Sequence, residues 1–177
     1  MEYEIVNWKR LNEVQRKNSG RMLLHEFSKF TSEPNFDIGD FVNPKTEVKR
    51  VLGVLNGENK GSEKAFVLLH NGQPVSVIVG NFFNGQNKAL MIKYLVSSDR
   101  KIRKTFFKKH GFTPAQMLSL KFLEYAKKLG HTNISSTNQT KLGMKFFQRL
   151  ENKKVIISKP AGQGKQISKI PKIRRRA

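Results

Sequence analysis

Cysteine is absent from the 177 residues, which excludes disulfides, thiolate nucleophiles and thiolate metal sites together. The four histidines, His25, His70, His110 and His131, lack the short spacing of metal ligands, and we expect no metal. No stretch approaches the roughly 18 apolar residues that a membrane helix needs. The first residues also lack the basic and then apolar pattern of a secretory signal. We therefore expect a cytoplasmic protein with no role at a membrane.

Acidic residues are scarce in the second part of the chain. The whole sequence has 34 Lys and Arg against 13 Asp and Glu, a net charge of +21. Residues 1–63 sum to zero, so the entire excess falls on residues 64–177, where the acids are Asp99, Glu124 and Glu151. A small domain with this charge repels itself, which suggests a polyanionic partner. Nucleic acid, DNA or RNA, is the first partner that we expect; a lysine-rich solvated surface without a ligand is the alternative.

The first 56 residues predict helices followed by a strand. Apolar residues recur at helical spacing up to residue 30, and Asn18-Ser19-Gly20 predicts a break between two short helices. Residues 31–47 carry prolines and a glycine among polar residues and predict an irregular connection. The apolar run over residues 51–55, which ends at Asn56-Gly57, predicts a first strand.

Three successive strands are predicted for the middle of the chain, over residues 65–70, 74–80 and 89–97. Each is a run of β-branched and aliphatic residues, and turn residues separate the runs. Asn71-Gly72 indicates a tight hairpin, because both residues tolerate a positive φ. Asn84-Gly85 marks the second turn.

The clearest local signal is the start of a helix at Pro114. Thr113 stands at the N-cap, Pro114 at the first helical position, and Gln116 where it completes a capping box. Gly130 is a natural stop for this helix. The remaining pattern predicts a strand over residues 131–136, a helix over 141–150 and a last strand over 155–158.

The end of the chain has the composition of a tail. Hydrophobic residues make up 37% of the sequence, enough for one domain, which we place at residues 1–158. Residues 159–177 contain two prolines and two glycines among basic residues, without an acid. Such a composition predicts a disordered or extended basic tail. Its end is a cationic cluster that contains Lys172, Arg174, Arg175 and Arg176.

The order of three strands, helix, strand, helix and strand resembles the GCN5-related N-acetyltransferase (GNAT) fold, an α/β (α+β) domain whose mostly antiparallel central sheet is flanked by helices. In that family a Gln/Arg-x-x-Gly-x-Gly/Ala loop opens the long central helix, and its backbone amides hold the pyrophosphate of acetyl-coenzyme A. The matching segment here contains Lys108, Gly111 and Thr113, and Asn138 opens a later segment that is also similar. The resemblance implies a coenzyme site at these four residues. Small, basic, degenerate proteins encoded by phages are similar to this family, so the resemblance implies a degenerate member and suggests a phage origin.

Two features of the family's catalytic machinery are missing. Phe146-Phe147 occupies the region of a tyrosine that can protonate the leaving thiolate, so no phenol is available there. The predicted strand over residues 89–97 offers no carboxylate as a general base, and Asp99 stands among basic residues, where we expect an ion pair. We therefore assign no catalytic residue.

The predicted loop over residues 100–110 concentrates six cations, a pattern that suits phosphate groups. We therefore prefer a non-enzymatic nucleic-acid-associated protein on an acetyltransferase-like scaffold, with no cofactor. One alternative is an N-acyltransferase that depends on acetyl-coenzyme A. Another is a structural protein, in a virion or the host cytoplasm, whose tail docks on nucleic acid or on virion or host proteins. The phosphate contacts that we predict come from Arg100, Lys101, Arg103, Lys104, Lys108, Lys109, Lys172, Arg174, Arg175 and Arg176.

Overall fold

The computed structural model describes residues 3–30, 44–85, 88–135, 141–158 and 164–171. No helix within these ranges is long and apolar enough to cross a membrane. The elements are, in chain order, β1 (Tyr3–Asn7), a 3-10 turn (Trp8–Arg10), α1 (Glu13–Phe30), α2 (Pro44–Asn56), β2 (Glu63–His70), β3 (Gln73–Phe83), β4 (Ala89–Ser97), α3 (Arg100–His110), α4 (Pro114–Lys128), β5 (Asn133–Ser135), α5 (Lys141–Asn152), β6 (Ile156–Ser158) and β7 (Lys165–Ile167).

One seven-stranded sheet organises the chain, in the order β1-β2-β3-β4-β5-β7-β6. Its strands pair antiparallel except for β4 and β5, which run parallel. A parallel pair needs a crossover connection, which α3 and α4 supply here. This mixed sheet with helices on both faces confirms the predicted GNAT-like fold class.

Helices cover both faces of the sheet, and each face has its own hydrophobic core. On one face, α1 and α2 bury Leu23, Val48 and Val51 against the central strands. On the other face, α4 and α5 contribute Phe122 and Leu150, among others. Strands β2 and β3 lie between the two layers, which explains their nearly continuous apolar sequence.

The predictions for the first 56 residues are partly wrong. Residues 3–7 form a strand that pairs with β2, rather than part of a helix. Helix α1 continues through Gly20 without a break, because Gly20 packs against α2: a Cβ atom there would lie 3.5 Å from a methyl carbon of Leu52. The predicted strand over residues 51–55 belongs to α2, whose buried face consists of Val48, Val51 and Leu55.

The structure confirms the three strands predicted for the middle of the chain and the tight hairpin between the first two. Strands β2, β3 and β4 include the predicted residues and extend β2 and β3 by a few positions. Asn71 and Gly72 have φ values of 50° and 75°, as a tight hairpin requires. The extension matters for the site, because it brings Glu63 into the buried face of β2.

Residues 100–110, predicted as a basic loop, form helix α3. Asp99 caps its first turn, since Oδ1 accepts the Ile102 N–H at 2.9 Å. A capping role therefore replaces the ion pair that we expected for Asp99. Phe106 anchors the helix: its side chain is 3% exposed and its ring packs edge-on against that of Tyr3, 5.7 Å away.

The C-terminal elements match the prediction up to residue 158 and differ after it. Strand β5, helix α5 and strand β6 lie where the pattern placed them. Residues 165–167 form β7, which pairs with both β5 and β6 and buries Ile167 at 3% exposure. The domain boundary at residue 158 is therefore too early for residues 164–171. The remaining tail residues, 159–163 and 172–177, lie outside the described ranges.

Candidate active site

The described pairing between the two parallel strands is short. Strand β4 pairs with β5 at three positions, Ala89, Leu90 and Met91, although β4 itself continues to Ser97. Within the described residues, the second half of β4 therefore has no neighbour on the β5 side. A ligand that carries hydrogen-bonding groups along its length can use such an unpaired strand edge.

A β-bulge lies at the start of this second half of β4. Tyr94 opposes Val79 of β3 and Ile92 opposes Gly80, so Lys93 is the extra residue in β4. Bulges bend a strand and are over-represented next to active sites. The bulge therefore lies two positions beyond Met91, the last residue of β4 that is described as paired with β5.

Helix α4 runs antiparallel to β4 and begins near the second half of that strand. Its midpoint is fixed by Phe122, whose ring lies against Gly80 and next to Leu90 near the start of β4. Thr113 is nine positions earlier, about 14 Å along the helix axis. That distance corresponds to about four residues of β4 beyond Leu90, which is the level of Tyr94. The first turn of α4 thus lies level with the unpaired part of the strand.

Gly111 and Thr113, two residues that the resemblance implies for coenzyme binding, both serve as helix caps. Gly111 ends α3 in the left-handed conformation, with a φ of 73°, and its N–H donates to the Phe107 carbonyl at 2.8 Å. The Thr113 N–H donates to Oε1 of Gln116 at 3.0 Å, and the Gln116 N–H donates to Oγ1 of Thr113 at 3.2 Å. The predicted capping box is therefore confirmed.

This capping box leaves few backbone donors for a phosphate group. The Met117 N–H donates to the Thr113 carbonyl, and Pro114 has no N–H. Among the backbone N–H groups of residues 111–117, only those of Phe112 and Ala115 have no acceptor in the described contacts. A pyrophosphate bound by backbone amides needs several donors that point the same way. With these contacts formed, the start of α4 does not fit the pyrophosphate of a coenzyme.

A network of four charged side chains flanks the bulge on the face covered by α2. Lys93 Nζ lies 2.8 Å from Glu47 Oε1 and 3.5 Å from Glu63 Oε1. Arg50 completes the network through both carboxylates, 2.8 Å from Glu47 and 2.5 Å from Glu63. The Glu63 side chain is only 3% exposed. The network therefore ties α2, β2 and the bulge of β4 together.

The network keeps both of its carboxyl groups ionised. Hydrogen bonds from Arg50, and then from Lys93, lower the pKa of Glu47 to about 2 despite partial burial. For Glu63, burial acts to raise the pKa, but the hydrogen bond from Arg50 and the nearby cations outweigh it and lower the pKa. Burial and the two glutamates raise the pKa of Tyr94, the next residue of β4. These glutamates are electrostatic partners for cations and very weak bases.

Sequence reasoning did not find this network. The search for a carboxylate covered the strand that contains Lys93, whereas the carboxylates come from positions 30 and 46 residues earlier. One signal was available: Glu63 is in phase with Ala65 and Val67, which face the α1 and α2 layer. Period-two alternation, extended by one step, would have placed Glu63 on the buried face of β2.

A shallow open groove borders the start of α4. Its floor is apolar and includes Leu120 and Leu150, each 4% exposed. Two exposed cations line it, Arg149 of α5 and Lys153 directly after that helix. Lys153 Nζ lies 5.4 Å from the centre of the Phe112 ring. Phe147, in the region of the family's tyrosine, is 6% exposed. The groove thus combines an apolar floor with positive charge beside the α4 cap.

The predicted phosphate-binding residues are only partly brought together. All six cations predicted over residues 100–110 are exposed on α3, and Lys108 lies in the last turn of that helix. Phe106 is buried, and only Phe107 is exposed, at 52%, so the helix does not offer a series of aromatic faces. The predicted residues outside the described ranges are Asn138, Lys172, Arg174, Arg175 and Arg176.

No family model matches the sequence, and no curated protein sequence matches it either. Solved structures do share its fold. A GCN5-related N-acetyltransferase from Ralstonia eutropha has a TM-score of 0.57 at 14% identity, over 84% of this chain and 91% of that one. A GNAT-family acetyltransferase from Staphylococcus aureus has a TM-score of 0.56 at 12% identity, over 92% of this chain and 89% of that one. A ribosomal-protein-alanine N-acetyltransferase from Brucella melitensis biovar Abortus has a TM-score of 0.55 at 10% identity, over 84% of this chain and 90% of that one. The chain therefore has the GNAT fold.

The comparisons overturn the preferred prediction of a non-enzymatic nucleic-acid-associated protein. The three solved structures with this fold are acetyltransferases. They favour the alternative prediction, an acyltransferase that depends on acetyl-coenzyme A. The DNA or RNA partner and the phage origin stay predictions.

Proposed function

We propose that the protein is an N-acyltransferase that transfers an acyl group from a coenzyme A thioester to an amine. The observation that carries the proposal is the GNAT fold, in which the parallel pair of β4 and β5 lies beside α4. Three solved structures with the same fold are described as acetyltransferases, and two of those descriptions specify an amine nitrogen as the acceptor. When bound, the coenzyme would supply the activated acyl group.

The charged network would hold the β-bulge of β4 in place, and its glutamates would not accept a proton from the substrate amine. An alkylammonium acceptor has a pKa of roughly 10.4, whereas the pKa of Glu47 is about 2. Direct proton transfer between them would be uphill by about 8 pKa units, or ~11 kcal/mol. The acceptor amine would therefore bind as the neutral form that is already present in solution, rather than give its proton to Glu47. Lys93, fixed by Glu47, would keep the bulge of β4 in place beside the reacting groups.

The proposal is tested by measuring thiol release from acetyl-coenzyme A with a panel of amines, together with calorimetry of coenzyme A binding. We expect saturable binding of coenzyme A, and release of its thiol only when an acceptor amine is present. The absence of both coenzyme binding and thiol release in the unmodified protein would refute the proposal.

A further inference from the structure

We infer that the outer surface of α3 and α5 binds single-stranded nucleic acid. Both helices lie on the face of the sheet that α4 covers, because Phe106 of α3 and Phe147 of α5 pack into the core on that face. The cations of α3 have no role in the proposed acyl transfer. Binding of a nucleic acid would therefore be a further activity of the chain, and the two proposals stand separately.

Helix α3 carries its positive charge at a cost to its own stability. Arg100 and Lys101 lie in the first turn, which contains no acid, and the partial positive charge of the helix N-terminus repels them. Arg100, Lys104 and Lys108 follow one another at four-residue spacing, so their side chains are neighbours on the helix surface. Like charges at this spacing destabilise a helix. A bound polyanion would remove both penalties.

The nearby acids do not neutralise these cations. The exposed cations of α3 that have no ion pair within the described residues are Arg100, Lys101, Arg103, Lys104 and Lys108. The acids of α4 and α5 have other partners, because Glu124 contacts Lys121 at 2.8 Å and Glu151 contacts Lys165 at 2.7 Å. The charge of α3 is therefore available to a ligand.

A second row of cations begins on α5. Lys145, Arg149 and Lys153 are exposed and follow one another at four-residue spacing. The Lys153 N–H donates to the Arg149 carbonyl at 3.1 Å, so the helical hydrogen-bond pattern extends to Lys153. Lys153 Nζ lies 5.4 Å from the centre of the Phe112 ring, and Phe112 directly follows Gly111, the C-cap of α3. The two rows of cations therefore approach each other at Phe112.

The ligand that fits these rows carries repeated negative charge together with flat rings. A nucleic acid strand repeats its phosphates along its length, so one strand can contact cations of both helices. Phe107 is 52% exposed and lies four positions after Arg103, which makes it a neighbour of the cations on the surface of α3. An exposed aromatic ring can stack on an unpaired base. An acidic peptide has the charge but no bases, and a duplex keeps its bases stacked on one another, so a single strand is the ligand that uses both features.

The test measures binding of a labelled oligouridine by fluorescence anisotropy at several salt concentrations. A length of about 12 nucleotides suits a small domain, which covers roughly 4–16. Lys104→Gln/Lys108→Gln removes two cations of α3, and Lys17→Gln/Lys49→Gln, on the opposite face of the sheet, is the control with the same change in charge. Counterion release of about 0.7 per phosphate contact makes each contact worth about 5-fold at 0.1 M relative to 1 M salt. We expect the α3 variant to bind about 25-fold more weakly at 0.1 M salt, with a salt slope lower by about 1.4, and the control to change much less.

Phe107→Ala tests the aromatic ring separately from the charge. Phe83→Ala is the matched control, because Phe83 is 43% exposed on β3. Loss of one stacked base corresponds to a factor of about 5 or more in affinity, with the salt slope unchanged. Unfolding in urea checks that the variants fold. Lys104→Gln/Lys108→Gln should be at least as stable as the unmodified protein, because it relieves repulsion within α3.

Equal losses from the two lysine double variants would mean that the overall charge of +21, rather than α3, attracts the strand, and would overturn the proposal. The proposal also fails if the oligouridine does not bind or if a duplex of equal length binds as tightly. It fails equally if Phe107→Ala binds like Phe83→Ala, or if polyglutamate displaces the oligouridine at equal charge concentration. The proposed acyl transfer is measured by thiol release and survives each of these outcomes.

Discussion

Phe122 lies so close to Gly80 that a Cβ atom added to the glycine would be 2.7 Å from two carbons of the aromatic ring. The same Cβ would be 2.9 Å from a methyl carbon of Leu90, and both neighbouring side chains are fully buried. Neither side chain has free space into which it can retreat. This contact sets the distance between α4 and the sheet.

Gly80→Ala should therefore destabilise the protein through overpacking. We expect the free energy of unfolding to fall by about 1–3 kcal/mol, the usual cost of extra volume in a filled core. Urea unfolding followed by circular dichroism would measure the change. Gly85→Ala is the control, because a Cβ atom at Gly85 meets nothing within 4 Å. Equal stabilities of the two variants would contradict the close contact.

Ile167→Ala tests whether β7 belongs to the domain. Ile167 is 3% exposed between β5 and β6, and truncating a buried isoleucine costs about 2–5 kcal/mol. Ile157→Ala, on neighbouring β6, removes a side chain that is 44% exposed and should cost much less. Thermal unfolding of the two variants would distinguish these costs. A negligible effect of Ile167→Ala would mean that residues 165–167 lie outside the sheet.

Glu47 should make stability depend on pH in the acidic range. Its pKa of about 2 in the folded protein is below the ordinary value of 4.5, so the unfolded chain binds the proton more tightly. The resulting stabilisation, on the order of 3 kcal/mol, is complete above pH 4.5 and is lost as the pH falls towards 2. We expect the stability advantage of the unmodified protein over Glu47→Gln to shrink between pH 6 and pH 3. Glu58→Gln, at an exposed glutamate, should show a smaller change.

His131 should also make stability depend on pH, because folding keeps its imidazole neutral. Its burial, followed by the nearby Lys88 and Lys64, lowers its pKa below the ordinary value of 6.5. The unfolded state therefore binds more protons between the lowered pKa and 6.5, and stability decreases as the pH falls through this window. His131→Gln retains a hydrogen-bonding side chain and should show a weaker decrease between pH 7.5 and pH 5.5. A parallel pH dependence of the two proteins would rule out His131 as the cause, and His25→Gln, at an exposed histidine, serves as the control.

Local signals were sufficient wherever a few adjacent residues decide the structure. Thr113, Pro114 and Gln116 specify a helix start through contacts that span only three positions, and the structure contains each of them. Asn71-Gly72 similarly fixes a hairpin through its own backbone preference. These features depend little on the rest of the chain, so the sequence alone could predict them.

Features that depend on distant partners were missed. Val51 to Leu55 looks like a strand when read alone, and only the spacing from Val48 identifies a helical face that packs on the sheet. Strand β7 buries Ile167 within a basic segment, and its pairing with β5 and β6 gives no local signal. The network of Glu47 and Lys93 joins side chains 46 positions apart. No spacing rule connects such residues before the fold is known.

The strand order has a consequence for synthesis on the ribosome. Strand β6 contacts the rest of the sheet only through β7, which is made after it and lies inside the sheet among the described strands. Until β7 is available, β6 has no partner strand, and the packing of Ile156 against the core, which includes Leu150 of α5, must hold it in place. Strand β7 follows β6 by fewer than ten residues, so at roughly 5–20 residues per second the two strands leave the ribosome within about two seconds of each other. The sheet can therefore be completed only when β7 arrives, because β7 lies between β5 and β6 although it is the last described strand of the chain.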